Sequence, residues 1–337
     1  MRYSHALRRL LLLLAVVVVS TASLGAATGP AASGKKKCKI VTRIVHGHKK
    51  KVRVCHTVKP KPKPKPKPPT KPPPPPPPPP PAPPPPPVQG KKVDVGGYSL
   101  YIECAGTGAP TVILDAGNST SHRVWSLVRP DASRFTRVCA YDRAGNGDSD
   151  SRPGLGPNDP VPASRVVDEL HALLHNGSIP GPYVLAGASI GGLYARLYTK
   201  HYPADVAGIV LVDGTPEQEM TAGGFGVLPP EQIDMTAAVQ ELTGYSTGAR
   251  PLVALEQNHD AREDQAWQRS VAQRSTNVWW VRATGTNHNI ELAPPEGNPP
   301  IVVEAIRQDV LALRAGGTLP ACASSPIVAA GGECLTP

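Results

Sequence analysis

One stretch of the chain, residues 183–198, constrains its fold more than any other. It reads YVLAGASIGGLYARLY, an apolar run of strand character that meets a serine between glycines and then continues with helical character. In a Gly-x-Ser-x-Gly turn the serine has a strained backbone that holds its hydroxyl above the end of a strand, and small neighbours let strand and helix approach closely. We therefore predict a strand, a sharp turn at Ser189 flanked by Gly187 and Gly191, and a helix.

The residues around this turn alternate between strand and helix patterns. Alternation of this kind predicts an α/β fold, with a mostly parallel twisted sheet and helices on both faces. We place this domain at residues 92–315, with a small lid at about 214–250, or simple connecting structure there, and a C-terminal tail at 316–337. The strand patterns are 93–102 (a hairpin), 111–115, 137–142, 208–213, 251–255 and 277–282, and the helical patterns are 121–131, 161–176, 189–202, 230–242 and 300–315.

The first 32 residues have the pattern of a secretion signal. Three arginines precede the apolar run Leu10–Val19, and small residues follow it. That run is too short to span a bilayer comfortably, so a retained membrane anchor is the weaker alternative. The mature chain is then expected outside the cytoplasm, secreted or associated with the cell envelope, where its six cysteines can form disulfides.

Residues 33–58 form a basic segment for which we predict a disulfide-closed hairpin. If His46 and Gly47 form a two-residue turn, Cys38 lies opposite Cys55, at a separation that a disulfide accepts. The alternative is a disordered basic segment whose thiols pair elsewhere.

Residues 59–91 form a Lys/Pro-rich linker. Its 28 residues from Pro60 to Pro87 must adopt polyproline II, so they reach roughly 90 Å. We expect a spacer whose lysines contact anionic cell-wall or membrane polymers, and the alternative is a solvated linker without a partner.

The positive charge of the chain belongs to this N-terminal arm. Residues 1–93 contain 20 of the 36 Lys and Arg and none of the 26 Asp and Glu, so residues 94–337 have a formal balance of −10. A nucleic-acid-binding protein would need a basic patch on a folded domain, and we therefore expect no nucleic-acid partner.

Four short pieces of the sequence form a set. They are Ala116-Gly117 after a strand, Tyr-Asp-Arg-Ala-Gly at 141–145 with Gly147 and Ser149, the turn at Ser189, and Gly-Thr-Asn-His at 285–288 before the final helix. With these pieces the sequence resembles the α/β-hydrolase superfamily, in its serine-hydrolase branch and of a secreted bacterial type. The resemblance covers roughly residues 92–315, and the order of nucleophile, acid and histidine agrees with the family.

The resemblance implies that Ser189 attacks a carbonyl carbon and that His288 takes its proton. A serine at this position argues against the dehalogenase and epoxide-hydrolase branches. The acid is Asp213, which ends the strand after the turn, or Asp260 in the loop after the next strand. We favour Asp213, because the later loop departs from the family pattern.

The family places the oxyanion hole in two backbone N–H groups, which here belong to Ile190 and to Asn118. Many relatives have His-Gly where this chain has Ala116-Gly117, preceded by Asp115. A carboxylate turned inward would oppose the oxyanion, so we expect Asp115 to point away.

The remaining cysteines are consistent with a secreted protein. In the sheet order of the family Cys104 and Cys139 lie on neighbouring strands, and Cys322 and Cys334 could close the tail. Six cysteines allow 15 pairings, and a free buried Cys139 is the alternative for the central pair.

The sequence thus predicts a monomeric secreted serine hydrolase that cleaves a small carboxylic ester without a cofactor or metal. His171 and His175 are spaced for a metal, but no third ligand is evident, so a polar helix face is the better interpretation. A peptidase or an acyl transferase would use the same triad. The alternative from another class is an envelope-binding protein whose hydrolase fold is catalytically inactive.

Overall fold

The computed structural model describes residues 36–57, 84–156, 159–224, 226–258 and 262–337. These residues belong to two compact units, divided near residue 79. The expected signal at 1–32 and linker residues 59–83 lie outside the described ranges. None of the helices within those ranges is both long and apolar enough to cross a bilayer.

The first unit is a two-stranded antiparallel hairpin. β1 (Lys36–Val45) and β2 (His48–Thr57) pair along their whole length. The two turn residues between them have positive φ angles of 50° and 79°, as a type I′ hairpin turn requires. Cys38 lies opposite Cys55 in this register, and the two form a disulfide.

The second unit is built on a nine-stranded sheet whose six central strands are parallel. Across the sheet the order is β14-β13-β12-β9-β8-β5-β6-β4-β3, with β3, β4 and β14 antiparallel to their neighbours. Three short strands, β7, β10 and β11, form a separate small sheet. The strands are β3 (Gln89–Asp94), β4 (Ser99–Ala105), β5 (Thr111–Asp115), β6 (Val138–Tyr141), β7 (Val161–Pro162), β8 (Tyr183–Ala188), β9 (Val206–Val212), β10 (Val227–Leu228), β11 (Ile233–Asp234), β12 (Leu252–Glu256), β13 (Val278–Ala283) and β14 (Gly332–Leu335).

Helices cover both faces of this sheet and bury one apolar cluster on each face. In β5, Ile113 belongs to one cluster while Val112 and Leu114 belong to the other, because successive side chains of a strand point to opposite faces. The helices are α1 (Arg129–Ala132), α2 (Ala163–Asn176), α3 (Ile190–His201), α4 (Glu217–Ala222), α5 (Thr236–Leu242), α6 (Arg262–Ala272), α7 (Pro299–Arg314) and α8 (Pro326–Ala329), with 3-10 helices at His122–Leu127 and Cys322–Ser324. The predicted α/β architecture is confirmed.

Two regions differ from the sequence-based expectation. The domain does not end at residue 315. The predicted tail contributes β14, which pairs with β13 at the edge of the sheet, and Cys322 is bonded to Cys334 within this tail. The lid segment (residues 214–250) contains α4, β10, β11 and α5 instead of one helix at 230–242. Its β11 pairs with β7, which ties this segment to the loop that follows β6.

Candidate active site

Ser189 lies in the sharp turn between β8 and α3. Its φ of 52° and ψ of −123° are strained for a residue with a side chain. A Cβ on Gly187 would overlap the backbone of Gly191, and a Cβ on Gly191 would lie 2.6 Å from the carbonyl oxygen of Asp115. Both positions therefore require glycine, and the turn holds Ser189, partly exposed, at the carboxyl end of β8.

Asp213 and His288 meet at the same edge of the sheet. Val212, the last residue of β9, pairs with Ala188 of β8, so Asp213 and Ser189 leave adjacent parallel strands side by side. Nδ1 of His288 lies 2.6 Å from Oδ2 of Asp213. Within the described residues the ring of His288 is hydrogen-bonded to Asp213 and not to Ser189 Oγ. The hydrogen bond between a nucleophile and its base often forms only when substrate binds.

The carboxylate of Asp213 is buried and held on its second oxygen as well. Oδ1 accepts the backbone N–H of Gln257 at 3.1 Å and lies 3.5 Å from Nε2 of Gln268. Gln257 begins the loop after β12, in which the alternative acid Asp260 lies outside the described residues. The structure thus brings Asp213 to His288, while this loop contributes a backbone donor.

Asp213 also favours the protonated form of His288. The hydrogen bond that Nδ1 of His288 donates to the carboxylate of Asp213 raises the pKa of His288 above its ordinary value, although burial acts in the opposite direction. Because Nδ1 faces the carboxylate, Nε2 is the ring nitrogen that can accept a proton. The carboxylate stabilises the imidazolium that results.

The β5 loop (residues 116–120) borders the serine. A Cβ on Gly117 would lie 3.6 Å from Cβ of Ser189. The side-chain amide of Asn118 donates to the carbonyl oxygen of Pro229 at 2.8 Å. The predicted oxyanion donor is therefore the backbone N–H of Asn118 and not its side chain. Ile190 is the first residue of α3, where backbone N–H groups lack an acceptor within the helix.

Both carboxylate oxygens of Asp115 are paired inside the protein. Nη1 of Arg143 lies 2.5 Å from Oδ1, and the hydroxyl of Tyr141 donates to Oδ2 at 2.9 Å. All three side chains are buried. The charge of Asp115 is therefore opposed by a guanidinium, which answers the concern that it would repel an oxyanion.

Arg143 joins the β5 loop to the lid segment. It donates to the carbonyl oxygens of Ala116 at 2.7 Å and Gly117 at 2.5 Å. Its Nε and Nη2 also donate to the two carboxylate oxygens of Glu231, at 3.0 and 2.8 Å. Glu231 in turn accepts the backbone N–H of Ser119 at 2.6 Å. One ion pair thus fixes the backbone of the loop that passes beside the catalytic serine candidate.

Electrostatics favour the charged form of this pair. Burial alone would raise the pKa of Glu231, but Arg143, together with a hydrogen bond from the Ser119 backbone and the side chain of Asn146, outweighs burial and lowers the pKa. Burial likewise opposes the charge of Arg143, and the carboxylates of Asp115 and Glu231 outweigh it and raise the pKa well above the usual value. The sequence singles out Arg143 only within the Tyr-Asp-Arg-Ala-Gly run and gives no signal for Glu231, which lies 88 residues away.

Two cavities border these groups. One of about 260 Å³ lies beside His288 and Asp213, with Trp267 of α6 in its wall. Another of about 490 Å³ is lined by Ser119, Glu231 and residues of the loop after β6. A small substrate has space near both the histidine and the β5 loop.

His122, Asp142 and Asp148 form the one described group with the composition of a metal site. Their ligand atoms lie within 4.8 Å of one another. Nδ1 of His122 lies 2.8 Å from Asp142, and Arg123 binds Asp148 at 2.8 Å, so the donor groups already have protein partners. The predicted pair His171 and His175 belongs to no such group within the described residues, and His171 stacks on the ring of Tyr202.

The strand order, the serine after β8 and the His–Asp pair at the same edge define an α/β hydrolase. Comparison with known sequences agrees, because the sequence model of the "Alpha/beta hydrolase family" matches residues 112–328. The chain belongs to this family.

Individual relatives are more distant. YqjL, an uncharacterized protein of Bacillus subtilis, is 25% identical over an alignment of 212 residues that covers 56% of this chain and 81% of YqjL. The uncharacterized protein C23C11.06c of Schizosaccharomyces pombe is 29% identical over 37% of this chain, and the match spans only 28% of that protein. The crystal structure of haloalkane dehalogenase DbeA from Bradyrhizobium elkani is similar with a TM-score of 0.53 and 14% identity, covering 68% of this chain and 99% of DbeA. Similarity at this level concerns the fold.

Proposed function

We propose that this protein is a serine hydrolase that acts outside the cytoplasm and cleaves a carboxylic ester with Ser189, His288 and Asp213. The observation that carries the proposal is the 2.6 Å contact between His288 and Asp213 at the strand edge where the strained Ser189 turn lies. A strained serine at the same sheet edge as an imidazole that a carboxylate orients is typical of sites that activate a hydroxyl as a nucleophile.

The first half of the reaction forms an acyl-enzyme. Oγ of Ser189 attacks the carbonyl carbon of the ester while Nε2 of His288 takes the hydroxyl proton, and Asp213 stabilises the imidazolium. Backbone N–H groups of Ile190 and Asn118 bind the oxygen that becomes negative. The bond to the leaving alcohol then breaks, and Nε2 returns the proton to the alcohol oxygen.

The second half regenerates the enzyme. A water molecule gives a proton to Nε2 of His288 and attacks the carbonyl carbon of the acyl group on Ser189. The same N–H groups bind the second oxyanion. Its collapse releases the carboxylic acid, and the proton from Nε2 returns to Oγ of Ser189.

The nucleophile separates this chain from part of its fold family. The dehalogenase and epoxide-hydrolase branches use an aspartate in the turn, whereas this chain has Ser189. A hydroxyl nucleophile forms an ordinary ester with an acyl group, which water can cleave with the help of His288. This residue therefore favours an acyl substrate over a haloalkane.

An activated-serine probe such as a fluorophosphonate tests the proposal. The wild type should be labelled, Ser189→Ala should not, and Ser324→Ala, at an exposed serine of the tail, should be labelled like the wild type. No labelling of a wild-type sample with a normal thermal transition would overturn the proposal and favour an inactive hydrolase fold with a binding role. A panel of chromogenic esters and amides graded by size would then identify the preferred bond and acyl group.

A further inference from the structure

The hairpin formed by β1 and β2 has no internal countercharge. Its 22 residues include eight Lys or Arg, three His and no Asp or Glu. In the observed register Arg43 lies opposite Lys50, on the face that does not carry Ile40 and Ile44, and like charges opposite each other on two strands repel. A negatively charged partner would relieve this repulsion.

One face of the hairpin combines two different rows of side chains. Alternate residues of a strand share a face, and opposed residues of paired strands share it as well. β1 contributes a mostly apolar row and β2 a cationic row, and the opposed pairs on this face are Ile40 with Arg53, Thr42 with Lys51, and Ile44 with Lys49.

The apolar row is exposed. Ile40 is 70% and Ile44 is 71% accessible, which is unusual for isoleucine. A soluble polyanion would pair with the cations but would gain nothing from the isoleucines. The surface of an anionic bilayer offers lipid phosphates for the cations and an acyl boundary for the apolar side chains.

The disulfide preserves this arrangement. A slip of one residue between two strands would move every side chain of one strand to the other face. The bond between Cys38 and Cys55 fixes the register, so Ile40 and Ile44 remain beside the cationic row.

We propose that the β1–β2 hairpin is a membrane-docking element whose Ile40/Ile44 face binds the surface of an anionic phospholipid bilayer. Vesicle sedimentation with the full chain tests this, using phosphatidylcholine vesicles with and without phosphatidylglycerol. The protein should bind only the anionic vesicles, and the binding should weaken as salt increases. Replacement of Lys49, Lys51 and Arg53, the cations of this face, by Gln should weaken it about 100-fold, since each cation contributes roughly a factor of five near an anionic surface. Wild-type protein that stays in solution with both kinds of vesicle contradicts the proposal.

Two further variants distinguish lipid binding from general polyanion binding, and the hairpin from the total positive charge of the chain. Ile40→Ser with Ile44→Ser should lower vesicle affinity about 10-fold or more, yet leave binding to immobilised dextran sulfate unchanged. If this variant binds vesicles as tightly as the wild type, the hairpin is a general polyanion binder and the lipid assignment is wrong.

Replacement of three linker lysines, Lys61, Lys63 and Lys65, by Gln is the matched charge control. This variant should keep most of the vesicle affinity, and a loss equal to that of the hairpin variant would show that total charge, not the hairpin, binds. The assay uses no enzymatic readout, so its result is independent of the proposed hydrolase activity.

Discussion

Asp213 is held between two partners, with His288 on one oxygen and the backbone N–H of Gln257 on the other. The backbone contact fixes the carboxylate, and the carboxylate fixes the imidazole. An asparagine at 213 would keep the size of the side chain but remove the charge that stabilises the imidazolium, and its amide can favour the wrong histidine tautomer.

The pH dependence of ester cleavage should report this contact. His288 acts as a base only when neutral, and Asp213 raises its pKa, so kcat/KM should fall on the acid side with a midpoint above the ordinary histidine value of about 6.5. Asp213→Asn should reduce kcat by about 10⁴-fold and move that midpoint to lower pH. Initial rates on a chromogenic ester across pH measure both effects.

The matched control for this variant is Asp260→Asn. It should keep near-wild-type kcat and an unchanged acid limb. The opposite result, with turnover lost at position 260 and retained at 213, would transfer the role of the acid to the loop after β12.

At the scale of elements, Arg143 connects the end of β6, the β5 loop and the lid segment through Asp115 and Glu231. Arg143→Met would leave two buried carboxylates without their countercharge. Removing one partner of a buried ion pair typically costs about 3–5 kcal/mol, so the free energy of unfolding from urea titration should fall by that amount.

Arg123→Met is the surface comparison for this experiment. Arg123 pairs with Asp148, but the two side chains are 62% and 42% exposed, and pairs this open to solvent contribute less than about 1 kcal/mol. Equal losses for the two variants would mean that the buried network contributes no more than a surface pair.

The elements that sequence reasoning predicted correctly are those whose signals are local. The β8–turn–α3 unit follows from one run of residues, and the opposition of Cys38 and Cys55 follows from the position of a two-residue turn. The contact between Arg143 and Glu231 could not be predicted in this way, because it depends on how the lid segment packs against the β5 loop.

Weak local patterns explain the other misses. β14 has only four residues and includes a glycine and a glutamate, so neither its length nor its pattern signals a strand. It forms because the edge of β13 offers backbone partners and the Cys322–Cys334 bond holds the tail nearby. α6 is strongly polar on average, so its amphipathic pattern rests on only a few apolar residues.

For the molecule as a whole, one buried carboxylate makes stability depend on pH. Asp309 of α7 packs against Gly208 of β9, and neither of its carboxylate oxygens has a hydrogen-bond partner among the described residues. The nearby N–H of Ile209 donates to Pro251 instead. Burial raises the pKa of Asp309 well above its ordinary value.

The sign of the effect follows from proton linkage. Below the ordinary carboxyl pKa both folded and unfolded chains hold the proton. Above it the unfolded chain releases its proton while the folded protein keeps it, so the free energy of unfolding falls as pH rises toward the raised pKa. Asp309→Asn should therefore be more stable than the wild type at neutral pH, and the gain should shrink in acid.

Thermal unfolding of both proteins from acid to neutral pH measures this difference. Asp131→Asn, at an exposed position, should show no such pH-dependent gain. A difference between wild type and Asp309→Asn that stays constant across pH would mean that Asp309 does not titrate as described.

Glu231 belongs to a segment inserted between β9 and β12, yet its carboxylate accepts the N–H of Ser119 in the loop that borders Ser189. A homologue with a different insertion would need a new anion for Arg143 or would have a differently shaped loop beside Ser189. Substrate selectivity and turnover rate would then change together whenever this insertion is exchanged.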